Sequence, residues 1–149
     1  MAEIVLRQKA LLLGLGEELV VDSAGIAAEV GSNIDRRARN ALERRDYATP
    51  AHRARQFESS WLNQRDLVVA MDRGHLNWLE RRALKQPHPA PLQLLLSYGD
   101  ARKKKGDSLE IGDPYFGDER EFDLCLRLIE AGCSGLLTDI AAERGRRPT

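Results

Sequence analysis

Cysteine is scarce in this chain: its 149 residues hold two, Cys125 and Cys133. Eight residues apart in a helical pattern, they make no disulfide scaffold and are poorly placed to bridge each other. They read as reduced thiols, which suits a cytoplasmic protein. Charge of one sign is also missing. Lys plus Arg number 23 and Asp plus Glu number 23, which argues against broad electrostatic attraction to nucleic acid or membrane. No apolar run approaches the roughly 20 residues that cross a bilayer. Met1 to Leu15 has neither a basic leader nor a small-residue cleavage site, so no signal peptide is expected. Repeats and linkers are absent as well, and the length suits one domain with a real core.

What is present is an alternation of apolar runs with helical patterns. Ile4, Val5, Leu11, Leu12 and Leu15 recur at helical spacing, and Gly14 and Gly16 punctuate the end. Leu19 to Val21 reads as a short strand. Ser32 can cap a helix with Ile34, Ala38, Ala41 and Leu42 on one face. Leu67 to Met71 has the composition of a buried parallel strand, and Asp72 caps a helix with Leu76 and Leu79 inward. Leu92 to Leu96 suits a strand or a buried helical segment. Phe122, Cys125, Leu126, Ile129 and Cys133 mark the inner face of a last helix, opened by Asp118 and Glu121 in a capping-box pattern. Strands alternating with helices predict βαβ units and a mainly parallel sheet.

Between Ser97 and Gly117 runs a polar segment of about twenty residues, long enough to suggest a functional loop. Gly112-Asp113-Pro114-Tyr115 lies within it. An Asp fixed before a Pro, with an aromatic two residues on, can present a proton to an aryl leaving group. Asp-Pro also starts ordinary turns. Arg36, Arg37, Arg39, Arg44 and Arg45 read as a solvated helix face, and Lys103 to Lys105 as a solvated loop. His75 and His88 have no ligand-like partners, so no metal site is expected.

In order along the chain stand Met1-Ala2-Glu3, Asp22-Ser23-Ala24-Gly25, His52-Arg53-Ala54-Arg55-Gln56, Ala70-Met71-Asp72 and Asp113-Pro114-Tyr115-Phe116-Gly117. This set, at these spacings, resembles the low-molecular-weight protein tyrosine phosphatases. The resemblance implies an α/β fold in three layers, a parallel sheet flanked by helices, with four strands in the family. It implies a domain over residues 1–142 followed by a basic tail, 143–149. It also implies a hydrolase acting on phosphotyrosine in proteins through a cysteinyl-phosphate, with no metal or organic cofactor. By resemblance Asp113 is the general acid and base, and Tyr115 with Phe116 lines the substrate pocket. Ser23 and His52 would support the nucleophile loop.

That loop, in the family, reads Cys, five residues, Arg, then Ser or Thr, and ends close to Pro-Met-Ala-Glu. This chain opens at Met1-Ala2-Glu3, so the first strand and the loop are expected to be absent. Neither cysteine substitutes, because Ala131 and Asp139 stand six residues after Cys125 and Cys133. A phosphate dianion repels ordinary nucleophiles, and the family answers with a thiolate of depressed pKa at a helix N-terminus. The chain is therefore expected to be inactive by itself. Loss of a central strand would remove roughly ten backbone hydrogen bonds at about 1 kcal/mol each, comparable with a typical total stability of about 5–15 kcal/mol. Self-association could compensate. Two alternatives remain: a non-catalytic remnant that binds phosphotyrosine or a protein partner, and an arsenate reductase of the same fold.

Overall fold

The computed structural model describes residues 1–98 and 108–145. Helix α1, Ala2–Leu12, buries Ile4, Val5 and Ala10. Leu11 and Leu12, expected inside, are 66% and 79% exposed. The chain turns back at Gly14, whose φ is +71°, and the Leu15 amide donates to the Ala10 carbonyl at 2.8 Å. This αL turn, which glycine adopts without strain, brings Leu15 against Ala10 and Leu137. Leu15 takes the inward place and leaves Leu11 and Leu12 outside.

Helix α2 spans Arg36–Glu43 and buries Ala38, Ala41 and Leu42 as its pattern predicts. Its cap is Asp35, not Ser32: an Asp35 carboxylate oxygen accepts from the Arg37 amide at 2.7 Å. Ser32 is occupied elsewhere, its carbonyl accepting from the Ala54 amide at 2.9 Å. The helix consequently starts later.

Strand β1, Val68–Ala70, leads through Asp72 into α3, Arg73–Ala83. Asp72 caps α3 by accepting from the His75 amide at 2.7 Å, and Leu79 is buried. Strand β2, Leu92–Leu94, runs parallel to β1 in the register Val68↔Leu92 and Ala70↔Leu94. The apolar run continues as a 3₁₀ turn, Leu95–Ser97, so both readings of that run hold in part. Leu19 to Val21 is a correction. The segment is not a strand and has no ladder partner among the described residues. Val20 is 95% exposed, and the Val21 carbonyl accepts from the Arg7 guanidinium instead. A strand needs a neighbour, which local composition does not supply.

The fold is α/β, a parallel sheet flanked by helices. Strand alternation sorts the two faces. Val68, Ala70, Leu92 and Leu94 pack with Leu62, Leu79 and Trp78 on the α3 side. Val69 faces the larger cluster of α1, α2 and the last helix. That helix, α4, runs Glu119–Arg144 and buries Phe122, Cys125, Leu126, Ile129 and Cys133. Its N-cap is Asp118, which accepts from the Arg120 and Glu121 amides at 2.8 and 3.2 Å. Glu143 and Arg144, assigned from sequence to the tail, belong to α4. Lys103 to Lys105 and residues 146–149 lie outside the described residues.

Gly132 lets α4 approach the 3₁₀ turn. A Cβ there would sit 2.6 Å from the Leu95 Cγ and 3.0 Å from its carbonyl oxygen. Gly132→Val is expected to destabilise the chain by about 1–3 kcal/mol through overpacking, read as a lower urea midpoint.

Candidate active site

Residues after Ser108 return to the sheet at the carboxyl end of β1, where the Ile111 amide donates to the Met71 carbonyl at 2.8 Å. Ile111 is buried, and the chain then emerges with Gly112 and Asp113 exposed. Crevices outside the carboxyl ends of parallel strands are where open α/β sheets bind ligands. An Asp113 carboxylate oxygen accepts from the Tyr115 amide at 3.0 Å, and the Gly117 amide donates to the Pro114 carbonyl at 2.8 Å. The turn reading of Asp-Pro is thus realised, and the carboxyl group stands at the surface. Tyr115 and Phe116 meet edge to face with ring centroids 5.1 Å apart. They are 56% and 97% exposed and form an aromatic rim beside Asp113.

The loop is held from outside by a side chain that the sequence reading assigned to a solvated face. Arg37 donates to the Tyr115 carbonyl at 2.9 Å and to the Gly117 carbonyl at 2.7 Å. Its neighbours behave differently again: Arg44 pairs with Asp123 and Arg45 with Glu130 on α4. The available signal was the Asp35-Arg36-Arg37 spacing at a helix start, which sets an Asp cap beside an Arg.

Ser23 and His52 converge on the first turn of α1. The Ser23 hydroxyl donates to Glu3. The His52 Nδ1 lies 3.9 Å from the same Glu3 carboxylate, and Arg7 pairs with its other oxygen at 3.1 Å. Beside them Arg65 and Arg55 hold Asp22. The Arg65 hydrogen bond above all keeps that carboxyl below the usual carboxylate range.

Cys125 joins these parts. Burial pushes its thiol up to about 11; the Met1 amino group opposes the shift and the Asp113 carboxylate adds to it. Met1, Ile4, Cys125 and Ile111, the residue from which the Asp113 loop emerges, belong to one packed cluster at the amino end of α1. Cys133 is pushed up to about 12, again mainly by burial. Both thiols are free and buried, the opposite of an activated nucleophile.

The sign of the pH effect follows. An unfolded thiol ionises near its ordinary value of about 8.5, whereas the folded thiols keep their protons beyond it. The folded state thus binds more protons above that pH, and stability falls with rising pH. The loss is expected between about pH 8.5 and 11, as a falling urea midpoint that Cys125→Ala with Cys133→Ala flattens.

A groove of about 650 Å³ lies along α3 against Pro89 and Leu92; none of the expected site residues lines it. Among the described residues no three His, Cys, Asp or Glu side chains cluster to hold a metal ion, and no helix is long and apolar enough to cross a membrane.

Comparison with known proteins bears on this arrangement. A family model described as low molecular weight phosphotyrosine protein phosphatase matches residues 1–146. A low molecular weight protein-tyrosine-phosphatase of Streptomyces coelicolor is 40% identical over 141 residues, covering 94% of this chain and 84% of that protein. Among solved structures, YfkJ from Bacillus subtilis is similar with a TM-score of 0.81 at 29% identity, covering 95% of this chain and 86% of its own. A Drosophila arginine phosphatase has a TM-score of 0.83 at 29% identity, with 93% and 87% covered.

Proposed function

We propose, from the premise that this chain belongs to the low molecular weight phosphotyrosine protein phosphatase family, that Asp113 is the proton donor of a phosphotyrosine hydrolase whose attacking thiolate lies outside these 149 residues. The observation that carries this reading is the emergence of the Asp113 loop from Ile111, which packs in one cluster with Met1, Ile4 and Cys125 at the amino end of α1, with an exposed aromatic rim beside it.

The chemistry takes two displacements. A thiolate attacks phosphorus, the bond from phosphorus to the aryl oxygen breaks, and Asp113 gives its proton to the departing phenolate. Water then attacks the cysteinyl-phosphate and Asp113 takes a proton from it. Inorganic phosphate leaves and the thiolate is restored. Tyr115 and Phe116 flank the substrate ring, since paired aromatics offer an apolar wall with defined edges. Ser23 and His52, gathered on Glu3, brace the start of α1, where the phosphate-binding loop would join. No step calls on a metal or organic cofactor.

Neither Cys125 nor Cys133 fills the nucleophile role, because both are buried with thiol pKa values raised to about 11 and about 12. The chain alone is inactive in this reading. It resides in the cytoplasm with both thiols reduced, and it self-associates through the unpaired Leu19 to Val21 segment. Sedimentation equilibrium showing only monomer would remove the last of these.

The test compares hydrolysis of an aryl phosphate and a phosphotyrosine peptide by this chain and by one extended upstream through its own coding sequence. Turnover by the extended chain alone supports the reading. Silence in both, with a phosphotyrosine ligand retained, favours the binding remnant. Arsenate-dependent thiol oxidation would indicate a reductase, but burial of both cysteines on α4 weighs against a redox relay.

A further inference from the structure

We infer that Arg37, oriented by Asp35, is a positioning residue that sets the Asp113 carboxyl for proton transfer; the inference rests on the acid role proposed for Asp113. The loop is attached to the body at few points. Its internal bonds, from the Tyr115 amide to Asp113 and from the Gly117 amide to the Pro114 carbonyl, fix its shape but not its place on the body. One end is anchored where Ile111 bonds Met71, and the other enters α4 at Asp118. Between these anchors, Arg37 supplies the two bonds that tie the loop's main chain to α2.

The guanidinium suits the task. Its Nε and one Nη grip both oxygens of Asp35 at 3.1 and 2.9 Å. The same Nη reaches the Tyr115 carbonyl at 2.9 Å, and the other Nη reaches Gly117 at 2.7 Å. Four donations thus use a group that has five N–H bonds in a rigid plane. The plane also rests on Phe122, with its central carbon 4.6 Å from that ring centroid, and lies 5.8 Å from the Tyr115 centroid. Asp35 is fixed in turn by capping α2. A chain of contacts therefore runs from the α2 N-terminus through Asp35 and Arg37 to the Tyr115 backbone, whose carbonyl accepts from Arg37 and whose amide, in the preceding peptide group, donates to the Asp113 carboxylate. Displacing that backbone displaces the acid. Small misplacements of a catalytic group are costly, about 10²-fold for 1 Å.

General acid assistance matters most when the leaving group is a poor one. That gives a readout which general structural damage would not move. In the upstream-extended chain, Arg37→Ala is expected to lower kcat/KM, which reports the step that expels the leaving group, by about 10- to 100-fold for phenyl phosphate and by less than about threefold for para-nitrophenyl phosphate. Arg37→Lys keeps the charge but not the planar fork and is expected to give little rescue. In the unextended chain, Arg37→Ala should speed amide hydrogen exchange at Tyr115 and Gly117 while leaving exchange in the middle of α4 unchanged.

An equal fall on both substrates would overturn the inference, as would full rescue by lysine or unaltered exchange in the loop. If the unmodified extended chain is active and Arg37→Ala matches it on phenyl phosphate, the positioning role alone falls. If the unmodified extended chain has no turnover, the phosphatase reading fails and takes this role with it.

Discussion

Asp113→Asn in the upstream-extended chain is expected to cut kcat/KM for phenyl phosphate by about 10²- to 10⁴-fold, the range general acid–base catalysis usually contributes. Asparagine is close to isosteric, and its amide oxygen can still accept from the Tyr115 amide that Asp113 binds now. The turn should therefore survive, leaving loss of the proton as the main change. The leaving-group dependence should sharpen accordingly, with para-nitrophenyl phosphate affected least. An equal loss for both esters would indicate damaged binding rather than a missing acid.

Leu126→Ala is expected to produce the largest loss of stability, about 3–5 kcal/mol by the cavity it leaves. Leu126 is fully buried on the inner face of α4. Its cluster draws in Val5 from α1, Ala41 and Leu42 from α2, and Leu95 and Leu96 from the 3₁₀ turn. Few alternative rotamers can fill a gap shared by so many elements. Against a typical total of about 5–15 kcal/mol, such a loss would leave a large fraction of the chain unfolded at moderate urea. Leu124, two residues away and 50% exposed, serves as the comparison. Leu124→Ala should shift the midpoint by well under about 1 kcal/mol. The measurement is the urea midpoint with the slope m held constant.

Much of this architecture was legible because its determinants are local. Helix α4 announced itself through an apolar stripe from Phe122 to Cys133 and through its Asp118 cap, and α3 through Asp72 and the inward Leu79. Strand β1 was read from a β-branched run. Features settled by partners distant in sequence were read less well. Leu19 to Val21 has strand composition but no ladder partner among the described residues, so it is not a strand; Leu19 packs against the Leu15 cluster and Val20 is left exposed. Leu11 and Leu12 fit the helical period, yet the turn at Gly14 gives their place to Leu15. Ser32 is a sound cap by type, but pairing with Ala54 engages it and Asp35 takes over.

The site shows the same division. The Asp-Pro-Tyr element was readable as a candidate because its chemistry lies in adjacent residues. Ser23 and His52 came from the family resemblance, and the structure adds what they meet, the Glu3 carboxylate. Arg37 was assigned to solvent: the Asp35 two residues before it marks an Asp cap beside an Arg, but not the loop about eighty residues later that this Arg meets. Position on a helix decides that only once α2 and α4 are packed together.

With both thiols buried and too strongly protonated to attack, this chain should not turn over an aryl phosphate by itself. Intact-mass measurement of this 149-residue chain after prolonged incubation with an aryl phosphate at neutral pH tests that most directly. The expected result is an unmodified polypeptide with no phenol released above the buffer rate. A phosphoryl group on Cys125 or Cys133, or sustained release of phenol, would contradict it.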